Sequence, residues 1–305
     1  MGNSVFVLGA GGFIGHALCA DFAARGWQVF AGTRQPVNFS HPEIRNAVAA
    51  FNGIEDFVPW VEQCSVIVHA ASHTTPSSSA AQPQLDGNLR STLALVEALQ
   101  AIPGRKLIYL SSGGALYDER DEPVNEEVPL RPRSYHGAGK AAAEHFIQAW
   151  AAQCSGMACV LRPSNVYGPG QPPRSGFGII PAAFDCVKRA VPLQIWGDGG
   201  NVRDYLYIRD LVALCAKVLD TQLPSGVQTF NVSSGQGVSL LELLMEIEKV
   251  TGQSIQRQHM PARAIDMRRI VPDNTRARLQ FGWQPSTSLS AGLTQAWNWF
   301  KAVYA

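Results

Sequence analysis

The sequence predicts an α/β protein, a doubly wound parallel sheet with a smaller, discontinuous C-terminal domain. Three observations predict it. Short apolar runs alternate with helical patterns through the first half. A glycine-rich turn joins the first apolar run to the first helical pattern. The second half is more broken, with Gly168-Pro169-Gly170-Gln171-Pro172-Pro173 as a loop.

The elements follow in order. Ser4–Leu8 is a buried strand, and the helical pattern from Phe13 to Arg25 ends at Gly26. Val29–Gly32 and Val66–Ala70 are further strands. A helix runs over Asn88–Gln100, with Leu89, Leu93, Val96 and Leu99 near helical spacing. Pro103-Gly104 stops it, and Lys106–Leu110 is a strand again. Gly137–Ala152 is an alanine-rich helix and Met157–Leu161 a strand. Later come a helix over Ile179–Arg189, a short strand over Pro192–Trp196, and an amphipathic helix over Val238–Val250 capped by Ser239. Ser77-Ser78-Ser79 reads as a polar loop. The domains expected are 1–163 with about 204–235, and about 164–203 with 236–305.

Composition excludes several classes. The 305 residues carry a net charge of +1, which leaves no electrostatic footprint for nucleic acid or a membrane surface. No apolar run approaches the roughly 20 residues needed to span a bilayer. The first residues lack the basic region of a signal peptide and read as a strand. None of the six cysteines forms a Cys-x-x-Cys pair, and most sit in apolar surroundings. A reduced, cytoplasmic protein is expected. The histidines show no metal-ligand spacing, so no metal is expected.

The first chemical motif is Gly9-Ala-Gly-Gly12-Phe-Ile-Gly15, placed directly after a strand and opening a helix. Gly9 permits the tight turn, Gly12 lets the backbone approach a pyrophosphate, and Gly15 lets the helix pack on the strand. The helix start at Phe13 and Ile14 offers N–H groups and a partial positive charge to phosphates. The sheet is therefore expected to be Rossmann-type and to bind a nicotinamide dinucleotide. This glycine spacing resembles that of the short-chain dehydrogenase/reductase superfamily, which places at the end of the second strand an acidic residue that bonds the ribose 2′-hydroxyl of NAD; this chain has Thr33-Arg34 there. Arg34 suits a 2′-phosphate, which leans the expectation toward NADP.

Further motifs resemble the extended, nucleotide-sugar branch of that superfamily. That branch includes UDP-galactose 4-epimerase and nucleotide-sugar dehydratases and reductases. The resemblance implies that Ala70, Ala71 and Ser72 lie beside the cofactor and that Asn88 braces the sheet. Ser111-Ser112-Gly113-Gly114-Ala115-Leu116-Tyr117 resembles the catalytic-serine loop, with Ser112 on the sugar oxygen. The run from Leu161 to Gly170 resembles the cofactor-and-substrate segment, which implies cofactor contacts from Pro163 and Val166 and a substrate contact from Asn165. Val202-Arg203-Asp204-Tyr205 and Arg263-Ala-Ile-Asp266 resemble nucleotide-sugar sites, with Arg203, Arg263 and Asp266 as substrate residues. Arg203 and Arg263 are cations of the kind a sugar diphosphate requires.

The chain departs from the family at the catalytic helix. Members carry Tyr-x-x-x-Lys, where the lysine lowers a tyrosine pKa from about 10. Here the segment is Ser134-Tyr135-His136-Gly137-Ala138-Gly139-Lys140, and four residues before Lys140 stands His136. Tyr135 is five residues away, about 140° round a regular helix. Three readings remain open: His136 is the acid/base, Tyr135 takes the role from an irregular helix start, or the chain binds ligands without efficient catalysis. Lys140 is also expected on the cofactor ribose.

The resemblance implies a nucleotide-sugar 4-epimerase acting on a UDP-sugar, with an NADPH-dependent 4-ketosugar reductase as runner-up. It also implies a homodimer through the helices near Asn88 and His136, with Leu95 and Phe146 as outward apolar positions.

Overall fold

The computed structural model describes residues 3–75, 80–174 and 176–304. The expected Ser77-Ser78-Ser79 loop lies outside the described residues. The chain divides into two compact units. The first comprises Met1–Ser112, Tyr135–Arg162 and Val212–Phe230; the second comprises Gly113–Ser134, Pro163–Leu211 and Asn231–Ala305. Gly113–Ser134 thus belongs to the second unit, inside the stretch that the sequence places in the first.

The first unit opens with β1 (Ser4–Leu8), α1 (Phe13–Ala24), β2 (Gln28–Thr33), β3 (Ile44–Val48), α2 (Val58–Gln63) and β4 (Val66–His69). A continuous helical stretch follows: α3 (Gln82–Gln84), a π turn (Leu85–Leu89) and α4 (Arg90–Ala101). Then come β5 (Lys106–Leu110), α5 (Tyr135–Cys154) and β6 (Met157–Pro163). The strands order as β3-β2-β1-β4-β5-β6, with β10 (Gly226–Val232) beside β6. Pairings from β3 through β6 are parallel. This is the Rossmann-type order, whose switch point falls between β1 and β4.

Burial on both faces explains the apolar runs. Val5, Phe6 and Val7 are fully buried. Phe6 meets Phe51, Phe57 and Trp60 in ring contacts. Each such side chain contributes about 1.5–3 kcal/mol by leaving water.

Two expectations are corrected here. The helix assigned to Asn88–Gln100 begins at Gln82, so Asn88 lies within its π turn instead of opening it. Pro83 falls in the first turn, where its missing N–H costs nothing. Leu95 is fully buried in the core and is no outward position. It shares the inward stripe with Leu99, one turn on. Phe146 is 46% exposed.

The second unit contains β7 (Asn165–Tyr167), α6 (Ile179–Arg189), β8 (Leu193–Trp196), β9 (Val202–Tyr207) and the start of α7 (Ile208–Asp220). β11 (Gly237–Ser239), α8 (Leu240–Thr251), β12 (Arg257–Met260), β13 (Arg269–Ile270), α9 (Thr275–Phe281) and α10 (Leu289–Val303) complete it. β9 is the hub: β7, β11 and β13 all pair with it. Ser239 caps α8 as expected, its hydroxyl accepting from the Glu242 amide while Glu242 reaches back. Among the described residues no helix is long and apolar enough to cross a membrane.

Candidate active site

The glycine turn is built as its sequence requires. Gly9 has φ +87°, and a Cβ there would stand 2.7 Å from the Ala71 backbone. That close approach brings the turn after β1 against the segment after β4, at the sheet's switch point. A Cβ on Gly15 would meet the Gly9 carbonyl oxygen, so α1 packs directly on the turn. Gly12 is the N-cap of α1, with no side-chain cap and no carboxylate in the first turn. The amides at Phe13 and Ile14 therefore carry the positive end of α1. Two buried hydroxyls of this unit, Thr33 Oγ1 and Ser111 Oγ, have no partner within the protein. Buried hydroxyls are rarely left so, and a ligand's ribose or amide groups would satisfy them. A glycine cradle, an uncapped helix and orphaned hydroxyls fit a dinucleotide. Arg34, just past β2, is exposed.

On α5, the residues expected to be catalytic separate sharply. Tyr135 opens the helix and is 49% exposed. His136 is 6% exposed, and its Nδ1 lies 3.2 Å from Thr74 Oγ1. Burial, and then the Lys140 charge, push its pKa down to about 4. The ring is a neutral imidazole at ordinary pH. Lys140 is buried, donates to the Leu110 carbonyl at 2.8 Å, and lies over the Tyr109 ring. Burial lowers its pKa to about 8 against the opposing pull of Glu144. Glu144 is itself buried and forked onto Arg162, with Nη2 to Oε2 at 2.6 Å. Ser112, at the end of β5, is half-buried.

Sequence reasoning named Asn88 but missed Thr74 and Gln84, its partners behind His136. Asn88 Oδ1 accepts from the His73 amide at 2.7 Å, and its Nδ2 donates to Thr74 Oγ1 and Gln84 Oε1. Thr74 and His136 are 62 positions apart, and no local pattern links them. The other buried histidine, His69, meets the Thr92 hydroxyl and the edge of Tyr109.

The second unit holds Pro163, Val166 and the expected substrate residues other than Ser112, namely Asn165, Arg203, Arg263 and Asp266. Arg263 forms a two-bond fork with Asp266, both at 2.9 Å, and its guanidinium lies over the Trp196 ring. Arg203 is half-buried and donates to the Val202 carbonyl. Burial lowers its pKa, opposed by Asp266 and Glu119. Asn165 donates to the Asp204 carbonyl, and the Asp204 carboxylate accepts from Ser164, Ser234 and Gln236.

The sheet order and the glycine turn define a dinucleotide-binding α/β enzyme. The model of the NAD dependent epimerase/dehydratase family matches residues 5–233. The chain belongs to that family. It is similar to a UDP-glucose 4-epimerase of Mycolicibacterium smegmatis, 33% identical over 77% of this chain and 76% of that one. It is also similar to a dTDP-4-dehydro-6-deoxyglucose reductase of Escherichia coli, 27% identical over 95% of both. Among solved structures, a Thermus thermophilus UDP-glucose 4-epimerase in complex with NAD superimposes with TM-score 0.89. That pair is 28% identical, over 98% of this chain and 99% of the other.

Proposed function

We propose that the chain is a nucleotide-sugar 4-epimerase acting on a UDP-sugar, with His136 as its acid/base. One observation carries the choice of base: His136 is buried and neutral one turn before Lys140, whereas Tyr135 stands half-exposed at the helix start. Gly9, Gly12, Gly15 and the amides of Phe13 and Ile14 would hold the dinucleotide phosphates, with Ala70, Ala71, Ser72, Pro163 and Val166 along its length. Lys140 would bond its ribose. When bound, the nicotinamide supplies a reversible hydride acceptor. His136 takes the proton of the sugar hydroxyl and returns it, work that contributes roughly 10²–10⁴-fold to rate. Ser112 polarises the reacting oxygen. Lys140 keeps His136 neutral by repelling a second positive charge. Asn165, Arg203 and Arg263 hold the nucleotide diphosphate, and Asp266 orients Arg263 through its fork.

A second reading is an NADPH-consuming 4-ketosugar reductase, favoured by Arg34 and by the full-length similarity to the E. coli reductase. Dialysed protein separates the two. An epimerase interconverts UDP-glucose and UDP-galactose with no cofactor added. A reductase is inert until NADPH is supplied and consumes it stoichiometrically. Binding without either turnover would leave a ligand-binding protein. For cofactor choice, Arg34→Ala is expected to weaken NADP binding by about 10–100-fold and NAD binding little, the loss of a charge-assisted hydrogen bond. Calorimetric titration of both cofactors reads this directly. A cytoplasmic location is consistent with the unpaired cysteines. A homodimer would use the exposed Phe146 on α5.

A further inference from the structure

The cluster behind His136 determines which ring nitrogen carries the proton. The anchor is a backbone group. The His73 N–H donates to Asn88 at 2.7 Å, so the atom it meets is the amide oxygen, Oδ1. Asn88 must then turn its Nδ2 donors toward Thr74 Oγ1 at 2.7 Å and Gln84 at 3.0 Å. Because Nδ2 donates, the Gln84 atom facing it is an oxygen, Oε1. Thr74 Oγ1 lies 2.7 Å from that same oxygen. Two oxygens this close need a proton between them, and an amide oxygen has none to give. The Thr74 hydroxyl proton therefore points at Gln84. Toward His136 Nδ1, 3.2 Å away, Thr74 offers only a lone pair. The imidazole must supply the proton.

We infer that Asn88, Gln84 and Thr74 form a positioning relay that holds neutral His136 in its Nδ1–H tautomer, so that Nε2 is its basic nitrogen. All four side chains are buried, which keeps water from rewriting the pattern. The fold supports the relay at two points. The π turn Leu85–Leu89 carries Asn88 one turn beyond Gln84, and such turns recur at functional sites. Gly139 supplies the space: a Cβ there would stand 3.1 Å from Gln84 Oε1, tighter than ordinary contact. The catalytic meaning of the relay rests on His136 being the acid/base; the tautomer does not.

The test is long-range proton–nitrogen correlation NMR on the full chain with ¹⁵N-labelled histidine, near neutral pH. His136 is assigned by the signal lost in His136→Gln. Wild type and Thr74→Ser are expected to carry the proton on Nδ1. Thr74→Val should move it to Nε2 and lower kcat by about 10²-fold or more, with KM changed less than about threefold. If Thr74→Val does not fold, Gln84→Met carries the same prediction, since it frees the Thr74 proton to turn toward Nδ1. A wild-type proton on Nε2, or a tautomer unmoved in Thr74→Val, overturns the relay. A proton on Nδ1 together with full turnover by His136→Ala confirms the relay and overturns the acid/base assignment.

Discussion

At the scale of single residues, the account depends on His136 staying uncharged in a buried site. Its folded-state pKa of about 4 lies below the ordinary 6.5, because burial and Lys140 both oppose the imidazolium. Between those values the unfolded chain binds the proton and the folded chain does not. Stability is therefore full above about 6.5 and is lost as pH falls toward 4. His69, lowered to about 3 by burial and Lys140, acts in the same direction. Urea midpoints at about pH 7 and about pH 4.5 should fall steeply for wild type and less steeply for His136→Gln. An equal fall in both would show that His136 titrates normally. Gly12 gives a second prediction. A Cβ there would meet the Gly9 oxygen at 3.3 Å, a tight contact that a small local shift relieves, so Gly12→Ala should fold. Its side chain would stand at the uncapped helix start and lower NAD affinity by at least about tenfold, read by calorimetry against an unchanged melting profile.

The elements show what sequence can and cannot reveal. The Gly9–Gly15 turn was legible because each glycine has a local cause: a positive φ at Gly9, a close approach of α1 at Gly15. The strands Ser4–Leu8 and Lys106–Leu110 were legible because buried parallel strands are uninterrupted apolar runs. Leu95 was misread because an apolar residue on a helix declares its face only when the whole stripe is counted, and its stripe partner Leu99 is core. The start at Gln82 was missed because Pro83 looks like a breaker yet sits where helices accept proline. Of the Thr74–Gln84–Asn88 cluster only Asn88 was legible, through the family resemblance; Thr74 and Gln84 left no trace, because buried polar partners are joined by the fold and not by spacing. One pairing between elements has a large expected cost. Glu144 on α5 and Arg162 on β6 are buried together. Glu144→Ala would remove the carboxylate forked onto a buried guanidinium and cost about 3–5 kcal/mol, measured as the shift in urea unfolding free energy. A cost under about 1 kcal/mol would mean that other groups satisfy Arg162.

For the whole molecule, the first unit carries a glycine turn that fits a dinucleotide, and the second carries Arg203 and Arg263, cations of the kind a nucleotide diphosphate requires. The family, and with it the general class of enzyme, was readable from the motifs because they run along most of the chain. The architecture of the second unit was less readable, since β7, β9, β11 and β13 are short strands without alternating patterns. Its hub strand β9 holds Arg203 and the buried Asp204, whose four acceptor bonds tie β9 to the loops at Ser164, Ser234 and Gln236.

His136 is proposed to carry proton transfer where the family has a tyrosine. The most direct measurement compares UDP-glucose to UDP-galactose interconversion by wild type, His136→Ala and Tyr135→Phe, all retaining cofactor. Turnover by wild type is expected, with a loss of about 10²–10⁴-fold in His136→Ala and Tyr135→Phe within about twofold of wild type. Loss of turnover in Tyr135→Phe with His136→Ala unimpaired would contradict the assignment.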